Sequence, residues 1–316
     1  MTDVTELTPD RLELGEGSRW IGDRLVLVDI PAGRLLAAPA PGGTAGGTPG
    51  GTAGGTPGGT AGGTPGGAAG GQAALTELAR LPEPLAAVAP VAGRPGAFLA
   101  AAGTGFALIE GDTVRPVARP EPVTARDWRM NDAVADRAGR LWAGSMACDQ
   151  SPGCGALYRL DPDGSVRTVL TGLTIANGPA FSPDGRTMYL SDTPLGHVDS
   201  FDVDPDTGEL SGRRSFVRLD PAHGAPDGLT TDADGYLWVA LFGGGAVHRY
   251  RPDGLLDRRI PVPARQPTSV CLIGTTLVVT SGRGGLDDPG PADGAVLVTA
   301  AGARGGPALP VRMAGG

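Results

Sequence analysis

Along the chain, apolar residues gather into short runs at 25–29, 97–101, 141–144, 188–191, 237–241 and 277–280. Between them stand turn signals such as DRAG, SPDG, DADG and RPDG, which suit tight hairpins. Segments with a 3.6-residue apolar period are scarce. Short strands separated by frequent turns predict an all-β fold.

The strands repeat. Three segments, NDAVADRAGRLWAGS from Asn131, NGPAFSPDGRTMYLSD from Asn177 and DGLTTDADGYLWVAL from Asp227, share one plan. Each opens on Asn or Asp, passes a strand, turns through a glycine and resumes with an aromatic-bearing strand. The turn glycines Gly139, Gly185 and Gly235 lie 46 and 50 residues apart, the period of a four-stranded propeller blade. EGSRWIGDRLVLVDI from Glu16 is a shorter version of the unit. Dividing the chain by this period, less its low-complexity tract, predicts a six-bladed β-propeller with four-stranded blades around a central channel, one domain over 1–316.

That tract is GGTAGGTP three times over (42–49, 50–57 and 58–65) followed by GGAAGG. Nothing in it builds a core, so 42–71 is expected to be a disordered insertion. The flanking segments 34–38 and 74–78 read as strand edges, which places it in a hairpin loop of the first blade. Closure entropy grows only logarithmically with loop length, so a fold carries such an insertion at small cost.

Composition narrows the function. A net charge of −8, with none of the 26 basic residues a lysine, argues against nucleic acid, whose phosphates need clustered cations. No basic leader and no run of about 18 apolar residues is present, so no membrane partner and a cytoplasmic protein are expected. Cys148 and Cys154 share a Gly/Pro-containing loop and could pair or share a metal, but three cysteines in all favour free thiols. His197, His223 and His248 form no HxH or HExxH pattern, which leaves a histidine zinc site without support.

The strand that opens each blade lies nearest the propeller axis. Glu16, Asn131, Asn177 and Asp227 occupy the equivalent place at the head of that strand in four repeats, so they should meet as a ring in the channel. An Asn or Asp before Gly is otherwise a common turn. Here, however, Asp184 and Asp234 already fill the turns. Clustered buried carboxylates need compensation, and an all-oxygen ring suits a hard divalent cation, Ca²⁺ first, with Mg²⁺, Mn²⁺ and Zn²⁺ also admitted.

At these residues the sequence resembles the SMP-30/gluconolactonase/luciferin-regenerating-enzyme (regucalcin-like) family. The resemblance rests on GEGSRW at 15–20, RMNDAVADRAGRLWAGSM at 129–146, IANGPAFSPDGRTMYLSDT at 175–193, APDGLTTDADGYLWVALFGGGAVHRY at 225–250 and QPTSVCLIGTTLVVTS at 266–281. It implies a six-bladed propeller with one divalent cation and hydrolysis of a small-molecule sugar lactone. It also implies cation ligands Glu16, Asn177 and Asp227, substrate-binding Arg129 and Asn131, and Asp227 as the catalytic base. Hydrolysis of other esters or phosphotriesters, and a non-catalytic metal-binding propeller, are the alternatives. Three departures stand out: Ser18-Arg19 after the first motif, which places a cation near Glu16; Pro179 after Asn177-Gly178; and the Cys-bearing loop 147–155. Trp142 and Trp238 are expected to pack the blades rather than line the site.

Overall fold

The computed structural model describes residues 3–41, 74–121 and 127–314. These form six four-stranded antiparallel sheets, the six-bladed β-propeller that the repeats predict. Blade I runs outward from Gly15–Ile21 through Arg24–Asp29 and Arg34–Pro39 to Thr76–Arg80. The innermost strands of blades II to V are Leu85–Pro90, Trp128–Ala135, Ala176–Phe181 and Ala225–Thr231. Blade VI has Pro267–Ile273 innermost, then Thr276–Ser281 and Leu297–Ala300. Its outermost strand, Thr5–Glu6, comes from the other end of the chain and pairs with Val298 and Leu297. That exchange closes the ring and leaves no open seam between first and last blades.

Arg34–Pro39 pairs with Thr76–Arg80 as a hairpin of blade I, so the chain leaves and re-enters one sheet. The tract at 42–71 lies outside the described residues.

The turn glycines take the left-handed backbone, with φ of 84°, 74° and 81° at Gly139, Gly185 and Gly235, a region open to glycine at little cost. Behind two of these turns the repeat builds a buried polar lock. Asp136 accepts Trp142 Nε1–H at 2.9 Å and the backbone N–H groups of Ala138 and Arg140. Asp232 does the same for Trp238 Nε1–H at 2.9 Å and for the N–H groups of Asp234 and Tyr236. Both indoles are fully buried, so each acid satisfies donors that would otherwise be stranded. The two tryptophans are blade-packing residues.

The far mouth of the channel is crossed by the C-terminal strap. Arg304 O accepts Ala233 N–H of blade V, and Gly305 N–H donates to Gly274 O of blade VI. Ala308 N–H then reaches Trp20 O of blade I, Val311 pairs with Pro90 and Ala92 of blade II, and Arg312 N–H meets Gly139 O of blade III. Five blades are thereby tied by one segment. Under it lies a cavity of about 320 Å³ lined by the C-terminal ends of the innermost strands, Arg19 and Phe181 among them.

Candidate metal centre

Each of the six innermost strands carries a register break near its start: Glu16/Arg19, Leu85/Ala87, Met130/Ala133, Asn177/Ala180, Pro226/Leu229 and Pro267/Val270. A β-bulge re-aims the side chains it contains. Repeated around the axis, it brings residues from distant repeats to one level of the channel. Blades I, III, IV and V supply Glu16, Asn131, Asn177 and Asp227 there, all 5% exposed or less. Blade II offers only alanines at this level, and blade VI offers Thr268 and Ser269. The ring is therefore polar on five of its six sides, with carboxylates or amides on four of them.

Gly178 shows how tight the bulge is. Its φ is +51°, and a Cβ there would lie 2.4 Å from the Leu229 backbone nitrogen of the next blade. The Asn-Gly pair is thus a strand bulge packed against blade V, where a turn was the other reading.

The residues make direct contacts. The Asn131 amide donates to Asn177 Oδ1, and to Ala176 O at 3.0 Å. Asn177 Nδ2 donates to Thr193 Oγ1 at 2.9 Å, and the Asn177 amide lies close enough to Asp227 to favour its charged form. Arg129 Nη1 donates to Asn131 Oδ1 at 2.7 Å. Two positioning residues escaped the sequence reading. Ser191 Oγ bridges the carbonyls of Asn177 and Asp227, and Thr193 Oγ1 donates to Pro226 O at 2.8 Å. Both come from the LSDT stretch that follows Asn177, a signal present in the sequence but assigned only to a strand.

The electrostatics are those of an uncompensated acid pair. Burial holds the Glu16 carboxyl well above its usual range, and Asp227 and Asp132 push it further. Burial and then Asp132 raise Asp227 likewise, against the pull of Arg129 and the Asn177 amide. Asp227 Oδ1 is buried without a hydrogen-bond partner. A buried carboxylate oxygen left open beside a second acid calls for a cation. Carboxylate and amide oxygens from four strands are the donor set that a hard divalent ion prefers. The residues present fit such an ion. Among the described residues no cluster of three or more His, Cys, Asp or Glu is placed to hold a metal; this ring mixes two carboxylates with two amides.

Other candidates fall elsewhere. Cys148 and Cys154 form no disulfide. His223, in the short turn Pro221–His223 before blade V, meets His248 of that blade edge-on, with ring centres 5.8 Å apart. No described helix is long and apolar enough to cross a membrane.

A sequence model of the SMP-30/gluconolactonase/LRE-like region matches residues 14–283. The chain belongs to this family. Its family relatives include a pentonolactonase of Haloferax volcanii, 40% identical over 169 residues, which are 52% of this chain and 57% of that protein. The alignment thus spans little more than half of the archaeal protein's length. Regucalcin of Bos taurus is 36% identical over 68% of this chain and 77% of its own. In structure, the family fold is matched by a luciferin-regenerating enzyme with a TM-score of 0.82 and 26% identity, over 99% of this chain and 100% of that one. A calcium-binding regucalcin of Agrobacterium tumefaciens follows with a TM-score of 0.81 and 25% identity, over 99% and 98%.

Proposed function

We propose that this protein is a divalent-cation-dependent lactonase that opens sugar lactones at the mouth of the channel. The observation that carries the reading is the ring itself: two buried carboxylates, one with an open oxygen, beside two amides and one guanidinium. The name of the H. volcanii pentonolactonase supports the substrate class, and that of the A. tumefaciens calcium-binding protein supports the ion. Glu16, Asn177 and Asp227 would hold the cation, with Ca²⁺ favoured. When bound, it supplies Lewis-acid polarisation of the lactone carbonyl.

The chain's own groups do the rest. Asn131, clamped between Arg129 and Asn177, presents a fixed amide to the substrate. Arg129 is half-buried and offers a planar fork to a hydroxyl or carboxylate. Asp227 orients the attacking water and takes its proton. Burial raises its basicity, whereas the neighbouring cation lowers it. Ser191 and Thr193 hold the backbone on which Asn177 and Asp227 stand.

Chelator-stripped protein should release no acid from gluconolactone above the blank. Addition of Ca²⁺, Zn²⁺, Mn²⁺ or Mg²⁺ singly should restore turnover, and Asp227→Ala should abolish it. Tight cation binding with no turnover of any sugar lactone would replace this reading with cation binding alone, the property in the A. tumefaciens protein's name.

A further inference from the structure

Beneath the ring the channel holds a second charged pair. Arg19 follows Glu16 on the far side of the blade I bulge. The sequence places it near Glu16, but the partners of its guanidinium are Ser18, Asp132 and Ala133. Its guanidinium crosses to blade III, where Nη2 donates to Asp132 Oδ1 at 3.0 Å and Ala133 O at 2.8 Å. Nη1 is held by its own strand through Ser18 O at 2.8 Å. Blade II stands between these blades, and its alanines at 86, 87 and 89 keep the span short of bulk. Arg19 is 8% exposed and Asp132 3%.

Asp132 directly follows Asn131, and its charge acts on both Glu16 and Asp227. Arg19, on the other side, lines the cavity at the far mouth. The pair is therefore the floor of the site, facing the ring with its acid and the cavity with its base. Three carboxylates and two guanidiniums (Glu16, Asp132 and Asp227 with Arg19 and Arg129) leave one net negative charge in the channel.

We propose that the Arg19–Asp132 pair is a specificity-determining element of the cation site, its acid strengthening the negative field at the ring and its guanidinium limiting it. The inference rests on the ring being a cation site. It requires that the two halves act with opposite sign. Removing Asp132's charge weakens cation binding, whereas removing Arg19's strengthens it. Removing both returns the channel to its original net charge. A pair that served packing alone would shift affinity the same way from either side. A divalent ion feels each change twice as strongly as a monovalent one.

The test is calorimetric titration of Ca²⁺ into the full-length, chelator-stripped protein. Its variants are Asp132→Asn, Arg19→Met, Arg19→Lys and the double Arg19→Met/Asp132→Asn, each checked by thermal melting. Asp132→Asn should weaken binding about tenfold or more and Arg19→Met should tighten it comparably. Arg19→Lys and the double variant should stay within about threefold of wild type. Arg19→Met leaves a buried acid unpaired and is the variant at risk of not folding; Asp132→Asn set against the double variant then decides. Equal losses in both single variants, or a double variant no better than Asp132→Asn, would overturn the inference while leaving the cation site standing. A wild-type protein that binds neither Ca²⁺ nor Zn²⁺, Mn²⁺ or Mg²⁺ would overturn both.

Discussion

Asp227→Asn separates the metal centre's function from its cost to the fold. In stripped protein, Asp227 is a buried carboxylate pressed by Asp132 and open at Oδ1. Its raised native pKa means that the native state holds more protons than the unfolded chain as pH rises past the unfolded value near 4. Stability of the stripped protein therefore falls as pH rises above that value, and a buried charged oxygen left without a partner costs about 2–4 kcal/mol. Asparagine keeps the shape and removes the charge. A chain of this length has an unfolding entropy of about 0.7 kcal/mol per degree. The gain then corresponds to a rise of about 3–6 °C in Tm at pH 7.5 in chelator, shrinking toward pH 4.5. Calorimetric melts of both proteins, with and without Ca²⁺, measure it. The wild type should gain markedly from Ca²⁺ and the variant little, with lactone turnover lost in the variant. A stripped Asp227→Asn that melts below stripped wild type at pH 7.5 would refute the electrostatic account of the ring.

Two further outcomes follow from the geometry. Gly178→Ala meets both a left-handed φ of +51° and a backbone nitrogen 2.4 Å away, so it should cost about 2–4 kcal/mol in urea unfolding. His248 is buried, and burial followed by His223 holds its imidazole down to about 4. It stays neutral in the fold while the unfolded chain protonates below about 6.5, so its contribution is lost as pH falls from about 6.5 to 4. That loss reaches at most about 3 kcal/mol. The stability gap between wild type and His248→Gln should narrow over that window in matched denaturant melts.

Much of this molecule is legible in its sequence because the propeller is a repeat. The 46- and 50-residue spacing of Gly139, Gly185 and Gly235 marks hairpins that each need a left-handed residue. The polar heads at 16, 131, 177 and 227 share a phase, and equal phase in a closed ring means equal height in the channel. That is why four residues spread over most of the chain could be expected to meet. The strand behind each turn carries its tryptophan six residues after an aspartate in blades III and V, and the local spacing alone brings indole and carboxylate together.

What the repeat does not carry is what passes between blades. Arg19 stands near Glu16 in the chain, and only the bulge between them and the small side chains of blade II send its guanidinium to Asp132. Ser191 and Thr193 matter because blade IV packs against blade V and brings the Pro226 and Asp227 carbonyls within reach. The closing strand Thr5–Glu6 and the strap across the far mouth belong to no repeat, so no periodicity announces them. Local spacing decides which face of a strand a side chain takes. Closure of the ring decides what waits on the other side of the channel, and so which buried charges are paired and which are left open.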